Sequence, residues 1–312
     1  MSEHHVPVLL KESIQILDIR DYGIYVDATL GRAGHSKEIL KRLTVGQLYA
    51  LDQDKTAIDY GEKELANIST NFKVLQGNFS EIQSLLALNG VFKVDGILFD
   101  LGVSSPQFDN SHRGFSYRLD GKLDMRMNQE TNDLTAWKVV NQWGLSDLIK
   151  IFREYGEEDY AVRIANRIIE SRSQQAIDTT LQLVDIIKTA LPQKVLKEKK
   201  HPAKKVFQAL RICVNNEMEV LEMGIKSSLK ILNKNGVLAI ITFQSLEEKV
   251  VKKIFKDVTT DEKDKLISKL PVEVASEKEF ELVVKRPIKP SKEELEINNR
   301  AHSAKLWVIK KR

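Results

Sequence analysis

Two acids and a pair of glycines carry the first chemical signal. The apolar run Ile24-Tyr-Val-Asp-Ala-Thr-Leu30 contains Asp27, breaks into Gly31-Arg-Ala-Gly34, and passes into a helical pattern with Ile39, Leu40 and Leu43. Small residues at such a turn let the backbone approach a ligand closely. About 20 residues on, Asp52 ends a second apolar run, Leu48-Tyr-Ala-Leu51, where a carboxylate can accept hydrogen bonds from both hydroxyls of a ribose. A glycine pair alone is more often a turn than a site. Strand, glycine turn, helix and distal acid in that order mark a nucleoside-cofactor site. A pyrophosphate needs Gly-x-Gly-x-x-Gly, whereas the loop here reads Asp27-Ala-Thr-Leu-Gly-Arg-Ala-Gly34-His35. The cofactor expected is therefore one without phosphates.

Three further side chains stand near this pattern. His35 either touches the cofactor or is a polar residue in a helix's first turn. Phe79, after Gly77-Asn78, either flanks an adenine ring or belongs to the core. Asp100 ends another apolar run and opens Asp100-Leu-Gly-Val-Ser-Ser-Pro-Gln107, at the carboxyl edge where doubly wound sheets bind ligands. That position makes it the candidate reaction loop rather than a simple loop cap. Arg113, Arg118, Asp120, Asp124 and Arg126 follow in a polar stretch long enough to be a functional lid or a surface loop.

The elements that position these residues read as an α/β fold. Short strands at 24–30, 48–51, 74–75 and 96–99 alternate with helical periodicity, which implies a parallel sheet with crossover connections. From about Asp109 to Lys205 the strand signals stop. Ala161, Ile164, Ala165 and Ile168, then Leu183, Val184, Ile187 and Leu191, recur at helical spacing. This predicts an inserted helical domain over 109–205, with the α/β domain made of 1–108 and 206–312. The latter resumes with a long helical stretch, 206–232, a strand 236–243, a helix with Val250, Val251 and Ile254, and two closing strands, 280–284 and 304–309. The charged segment 257–278 reads as mobile.

Composition narrows the class. The 312 residues are enough for two domains, and the single Cys213 supports neither a disulfide framework nor a zinc site. No metal is expected. No basic-then-apolar leader and no apolar run long enough to span a bilayer are present, so a soluble cytoplasmic protein without a membrane partner is expected. A net charge of +4 is weak evidence for a polyanionic partner. Its distribution says more: Lys194, Lys197, Lys199, Lys200, His201, Lys204 and Lys205 crowd one segment, and Lys310, Lys311 and Arg312 end the chain. Without other signals these would be a solvated linker and tail.

The sequence resembles the bacterial 16S ribosomal RNA cytosine-N4-methyltransferases, the RsmH family, formerly MraW. The resemblance runs nearly end to end. It is carried by His5-Val-Pro-Val-Leu-Leu10, Gly23-Ile-Tyr-Val-Asp-Ala-Thr-Leu-Gly-Arg-Ala-Gly-His35 and Asp95-Gly-Ile-Leu-Phe-Asp-Leu-Gly-Val-Ser-Ser-Pro-Gln107. It continues in Arg113-Gly-Phe-Ser116, Leu123-Asp-Met-Arg-Met127, Tyr155-Gly-Glu-Glu158, His201-Pro-Ala203, Phe207-Gln-Ala-Leu-Arg-Ile212 and Asn299-Arg-Ala-His-Ser-Ala-Lys-Leu306. The resemblance implies a Rossmann-like S-adenosylmethionine-dependent methyltransferase sheet with an inserted all-helical, substrate-recognising domain. The substrate implied is one cytidine in the decoding region of 16S ribosomal RNA, free or in the small ribosomal subunit. Cofactor contacts carry over onto Ala33, Gly34, His35, Asp52, Phe79, Asp100 and Gln107, with S-adenosyl-L-methionine as the cofactor.

The reaction so implied needs an exocyclic amine held in line with a sulfonium methyl, and an acceptor drawing electron density from its N–H. Asp100 is the candidate for that catalytic part, its loop carbonyls being the other acceptors available. The resemblance also turns the lysine cluster into a phosphate-contacting surface, its affinity falling as salt rises. Two positions depart from the family. Ala33 stands where relatives have glycine and adds a methyl beside the cofactor. Gln244, in Phe243-Gln-Ser-Leu-Glu-Glu-Lys249, replaces a histidine but keeps a donor and an acceptor. These departures leave an alternative: a ribosome-assembly factor that binds RNA and has lost turnover. A nicotinamide oxidoreductase is disfavoured by the missing pyrophosphate loop. A homodimer stays open.

Overall fold

The computed structural model describes residues 7–260 and 278–312. It divides into two compact units, Met1–Gly102 with Met218–Arg312, and Val103–Glu217.

The first unit is built on seven strands: β1 (Ile24–Asp27), β2 (Gln47–Asp52), β3 (Phe72–Gln76), β4 (Val94–Asp100), β5 (Leu232–Thr242), β6 (Phe280–Leu282) and β7 (Lys305–Lys311). Their order is β3-β2-β1-β4-β5-β7-β6. The first five run parallel, and β7 is antiparallel to both β5 and β6. Strand order reverses between β1 and β4, so the loops leaving these strands part to opposite faces and open a crevice at the carboxyl edge.

Both faces of the sheet are covered, which is why its strands read as continuous apolar runs. Ile97 and Phe99 of β4 join Leu238 and Ile240 of β5 in one buried cluster with Leu221, Ile225, Val251 and Phe255. Leu98, Ala239 and Ile241, one residue out of step on the same strands, join Leu9, Tyr25, Ile39, Leu48 and Leu306 in the other.

The second unit is helical. Its helices are Ser105–Asp109, Ala136–Gln142, Leu145–Glu154, Ala161–Gln174, Thr180–Ala190, Gln193–Leu196 and Lys204–Asn215. Val139, Phe152, Ile164, Ile168, Leu183, Ile187 and Leu210 form its core. Cys213 is free and part-buried, and burial pushes its thiol up to about 11, far from a nucleophile's range.

Three differences from the sequence reading have local causes. The first strand stops at Asp27, whose carboxylate accepts the Thr29 N–H at 3.1 Å and bends the chain. The stretch 206–232 is two helices, broken at Asn216 with φ +48°, a left-handed conformation that asparagine tolerates. The unit boundaries fall at 103 and 217 rather than 109 and 205. Val206, Phe207, Leu210 and Val214 belong to the helical core, and Asn215 Nδ2 donates to the Met125 carbonyl at 2.8 Å, so that last helix is held in the helical unit. The motif residues His5 and Val6, and 261–277 of the stretch expected to be mobile, lie outside the described residues. No helix among the described residues is long and apolar enough to cross a membrane.

Candidate active site

The glycine turn is held by two acids, Asp27 buried and Asp52 part-buried. Asp27 accepts the Ser36 hydroxyl at 2.6 Å on one oxygen and the Thr29 N–H on the other, tying the two ends of the turn together. Asp52 accepts the Gly31 N–H and the Asp54 N–H, each at 2.9 Å. Gly31 has φ +48°, so a side chain there would be strained. Gly34 is needed for a different reason: a Cβ on it would sit 2.2 Å from Cγ of Pro7. Ala33 has φ +59° and is fully buried in the apolar cluster beneath the loop. Its methyl therefore packs into the core, and the cost of replacing glycine is a left-handed backbone, about 1 kcal/mol.

Asp100 ends β4 across the strand-order reversal, and its N–H donates to Thr29 Oγ1 at 2.7 Å. One carboxylate oxygen lies 3.7 Å from His35 Nδ1. The other is buried and has no hydrogen-bond partner among the described residues. His35 is itself buried, with Nε2 3.1 Å from the Val8 carbonyl. A carbonyl only accepts, so Nε2 carries a proton in this contact, and Nδ1 is the nitrogen nearer Asp100.

The electrostatics are one-sided. Burial, then the neighbouring Asp27 and Glu247, push the Asp100 carboxyl up to about 8. Burial likewise raises Asp52 to about 6 in spite of its two backbone N–H donors. Asp27 is raised by burial and held back by Ser36 and Thr29. Carboxyls raised in this way favour a cationic ligand, whose charge would offset both desolvation and mutual repulsion. Among the described residues no group of three or more metal-ligating side chains is assembled.

Phe79 begins a short 3-10 turn after β3 and packs edge-to-face on Phe99, centroids 5.2 Å apart. A Cβ on Gly224 would come within 2.7 Å of its ring, so Phe79 is clamped from the helix Glu217–Ile231 as well. Asn78 Nδ2 donates to Gln53 Oε1 at 3.0 Å and ties the β3 and β2 ends together. The structure thus brings Ala33, Gly34, His35, Asp52, Phe79 and Asp100 to the carboxyl edge of β1–β4 in one unit. Gln107 belongs to the helical unit, where it is buried and its Oε1 accepts the Ser104 N–H at 3.0 Å.

Sequence reasoning missed Glu247. It is 2% exposed and accepts the Phe243 and Gln244 N–H groups at 2.7 and 3.2 Å, while its other oxygen accepts from Gln244 Nε2 at 2.8 Å. The signal was present as Gln244-x-x-Glu247 at a helix start, the spacing of reciprocal capping. Gln244 is the first residue of that cap, so its amide orients an acid that acts on Asp100.

A sheet in this order, with a glycine turn after β1 and acids closing β2 and β4, defines a Rossmann-like methyltransferase that takes its methyl from S-adenosyl-L-methionine. The MraW methylase family matches residues 2–312, and the chain belongs to that family. It is 58% identical over 310 residues to the Ribosomal RNA small subunit methyltransferase H of Mesoplasma florum, covering 99% of this chain and 100% of the relative. The protein of the same name from Limosilactobacillus fermentum is 48% identical, covering 99% and 98%. Among solved structures, a Streptococcus mutans protein in complex with SAH is 13% identical with a TM-score of 0.45, covering 99% of this chain and 100% of that one. A likeness that loose carries no argument about the site. The fit rests on this chain's own atoms: the unpartnered Asp100 oxygen and the carboxyls raised around it suit a sulfonium ligand bearing an ammonium group.

Proposed function

We propose that this chain methylates the exocyclic N4 amine of one cytidine in the decoding region of 16S ribosomal RNA, as free RNA or in the small ribosomal subunit, in the cytoplasm. The chain is a methyltransferase by family, and ribosomal RNA is the substrate class of its relatives. The observation that carries the finer reading is Asp100, a raised carboxyl with a buried, unpartnered oxygen at the strand-order reversal.

S-adenosylmethionine, held there, supplies an electrophilic methyl group to the amine lone pair. Asp52 retains lone pairs beyond those taken by Gly31 and Asp54, and these suit ribose hydroxyls. Ala33, Gly34 and His35 would hold the cofactor at the turn and Phe79 would flank its adenine ring; the resemblance implies Gln107 as a further contact. Asp100 accepts an N–H of the amine, orients its lone pair and takes the proton that the nitrogen sheds after gaining carbon. A cation nearby lowers the Asp100 pKa from about 8 and makes the carboxylate available for that role. His35 Nδ1 is the next acceptor for the proton.

The two departures that favour an assembly factor without turnover lose weight on this geometry. Ala33 places its methyl in the core, and Gln244 keeps a hydrogen-bonding role on Glu247. The test is transfer of radiolabel from S-adenosylmethionine to small ribosomal subunits lacking the mark, with nucleoside analysis and Asp100→Ala alongside. Label in N4-methylcytidine, lost in the variant, is expected. No label despite cofactor binding would favour the assembly-factor reading.

A further inference from the structure

We propose that the helical unit carries a subsite for the substrate RNA built on the stacked rings of Tyr117 and His201, with Arg118 and Lys188 taking backbone phosphates and the ring stack offering a face to a base. This rests on the RNA-methylating reading and adds residues which that reading does not use.

The stack is fixed in place. The Tyr117 and His201 rings lie 4.4 Å apart at 21°, and Tyr117 meets Phe207 at 5.9 Å and 87°. Phe207 is buried in the helical core, so the pair is anchored from below while both of its own members stay part-exposed. The Arg118 guanidinium lies 5.9 Å from the Tyr117 centroid. His201 Nδ1 accepts the Ala203 N–H at 3.3 Å, which assigns the proton of the neutral ring to Nε2 and makes His201 a donor.

The charges around the stack are cationic. Burial and then two cations, Lys188 and Arg118, hold the His201 imidazole below its ordinary range, and no carboxylate acts on it. Both cations are exposed; Lys188 pairs with Asp185 on its own helix at 3.1 Å, and Arg118 has no ion pair among the described residues. On the flanking segments Lys194, Lys197, Lys199, Lys200 and Lys204 are exposed and hold no ion pair among the described residues, while Lys205 pairs with Asp159 at 3.2 Å. Glu198 is the only acid between Lys194 and Lys205. Holding this many like charges together costs free energy that a polyanion returns by releasing counterions. Aromatic rings fixed among cations suit splayed RNA, whose bases stack while its phosphates pair. An acidic protein segment needs the cations but not the rings.

The test uses the full chain and a fluorescent RNA of the decoding region, read by anisotropy over a salt series, with S-adenosylmethionine affinity measured beside it. Tyr117→Leu keeps apolar bulk against Phe207 and is expected to weaken RNA about tenfold with the salt slope unchanged, whereas Tyr117→Phe restores binding. Arg118→Gln and Lys188→Gln are each expected to flatten the salt slope by about one. In NMR the His201 pKa should rise on RNA addition as phosphate offsets the cations. Cofactor affinity should not move. Wild-type RNA affinity in Tyr117→Leu together with an unchanged slope in both cation variants would overturn the subsite and leave the stack a packing feature. Binding to an acidic peptide in place of RNA, abolished by the same variants, would overturn it in favour of a protein partner. If the wild-type chain methylates RNA while these variants bind normally, the subsite alone fails; if the wild type transfers no methyl, the parent reading fails.

Discussion

The carboxyl edge of the sheet and the Tyr117–His201 surface of the helical unit are electrostatic opposites. At the first, Asp27, Asp52 and Asp100 are crowded together and Glu247 acts on Asp100, so that Asp100 stays protonated up to about 8. At the second, Arg118 and Lys188 press on a neutral His201, and Lys197, Lys199 and Lys200 precede it in the chain. Each collection is unfavourable alone and is relieved by a ligand of the opposite sign: a small cation in one case, a polyanion in the other. A net charge of +4 conceals this division completely.

The acidic edge depends most on Asp100. Asp100→Ala should cut single-turnover methyl transfer by about 100-fold or more, the scale of a lost general base. Asp100→Asn should do the same while raising the melting temperature of the ligand-free protein at pH 7, a gain of about 2 kcal/mol, because it removes a raised buried carboxyl. The sign follows from the pKa: a carboxyl raised to about 8 in the folded state contributes its stability in full below the unfolded value near 4, and that contribution is lost as pH climbs through 8. Wild-type melting temperature should therefore fall between pH 5 and 8.5 more steeply than that of Asp100→Asn, as calorimetry would register.

In the helical unit, Lys197→Gln, Lys199→Gln and Lys200→Gln combined should lower RNA affinity at least tenfold at 0.1 M salt and reduce the salt slope by about three, with cofactor binding unchanged. Affinity for S-adenosylmethionine should rise with pH by up to tenfold per unit below 8, since binding a cation expels the Asp100 proton. S-adenosylhomocysteine, which lacks the sulfonium charge, should show a shallower rise by calorimetry in paired buffers. Two smaller effects concern the turn itself. Gly34→Ala drives a methyl into Pro7 and should cost about 1–3 kcal/mol in urea unfolding. Ala33→Gly relaxes a left-handed residue but empties core volume, so its stability should stay within about 1 kcal/mol of wild type.

What the sequence made legible follows from geometry that repeats. Parallel strands covered on both faces leave apolar runs, and acids at their ends stand out against them, which is how β2 with Asp52 and β4 with Asp100 could be read. Contacts without a period were not legible. The approach of Pro7 to Gly34 and the left-handed break at Asn216 depend on tertiary placement or a single backbone angle. The extent of the helical unit was misjudged for a related reason: the amphipathic pattern of Lys204–Asn215 does not say which core its apolar face joins. Ala33 shows the same limit from the other side, since only the structure reveals that its methyl points into the core.

The most direct test is single-turnover methyl transfer to unmodified small ribosomal subunits from pH 6 to 9, with wild type and Asp100→Asn compared and the product identified as a nucleoside. N4-methylcytidine formed at a rate that rises with pH in the wild type, and at least about 100-fold more slowly without that rise in the variant, is the expected result. Wild-type rate and pH dependence retained in Asp100→Asn would contradict the role assigned to the carboxyl at the end of β4.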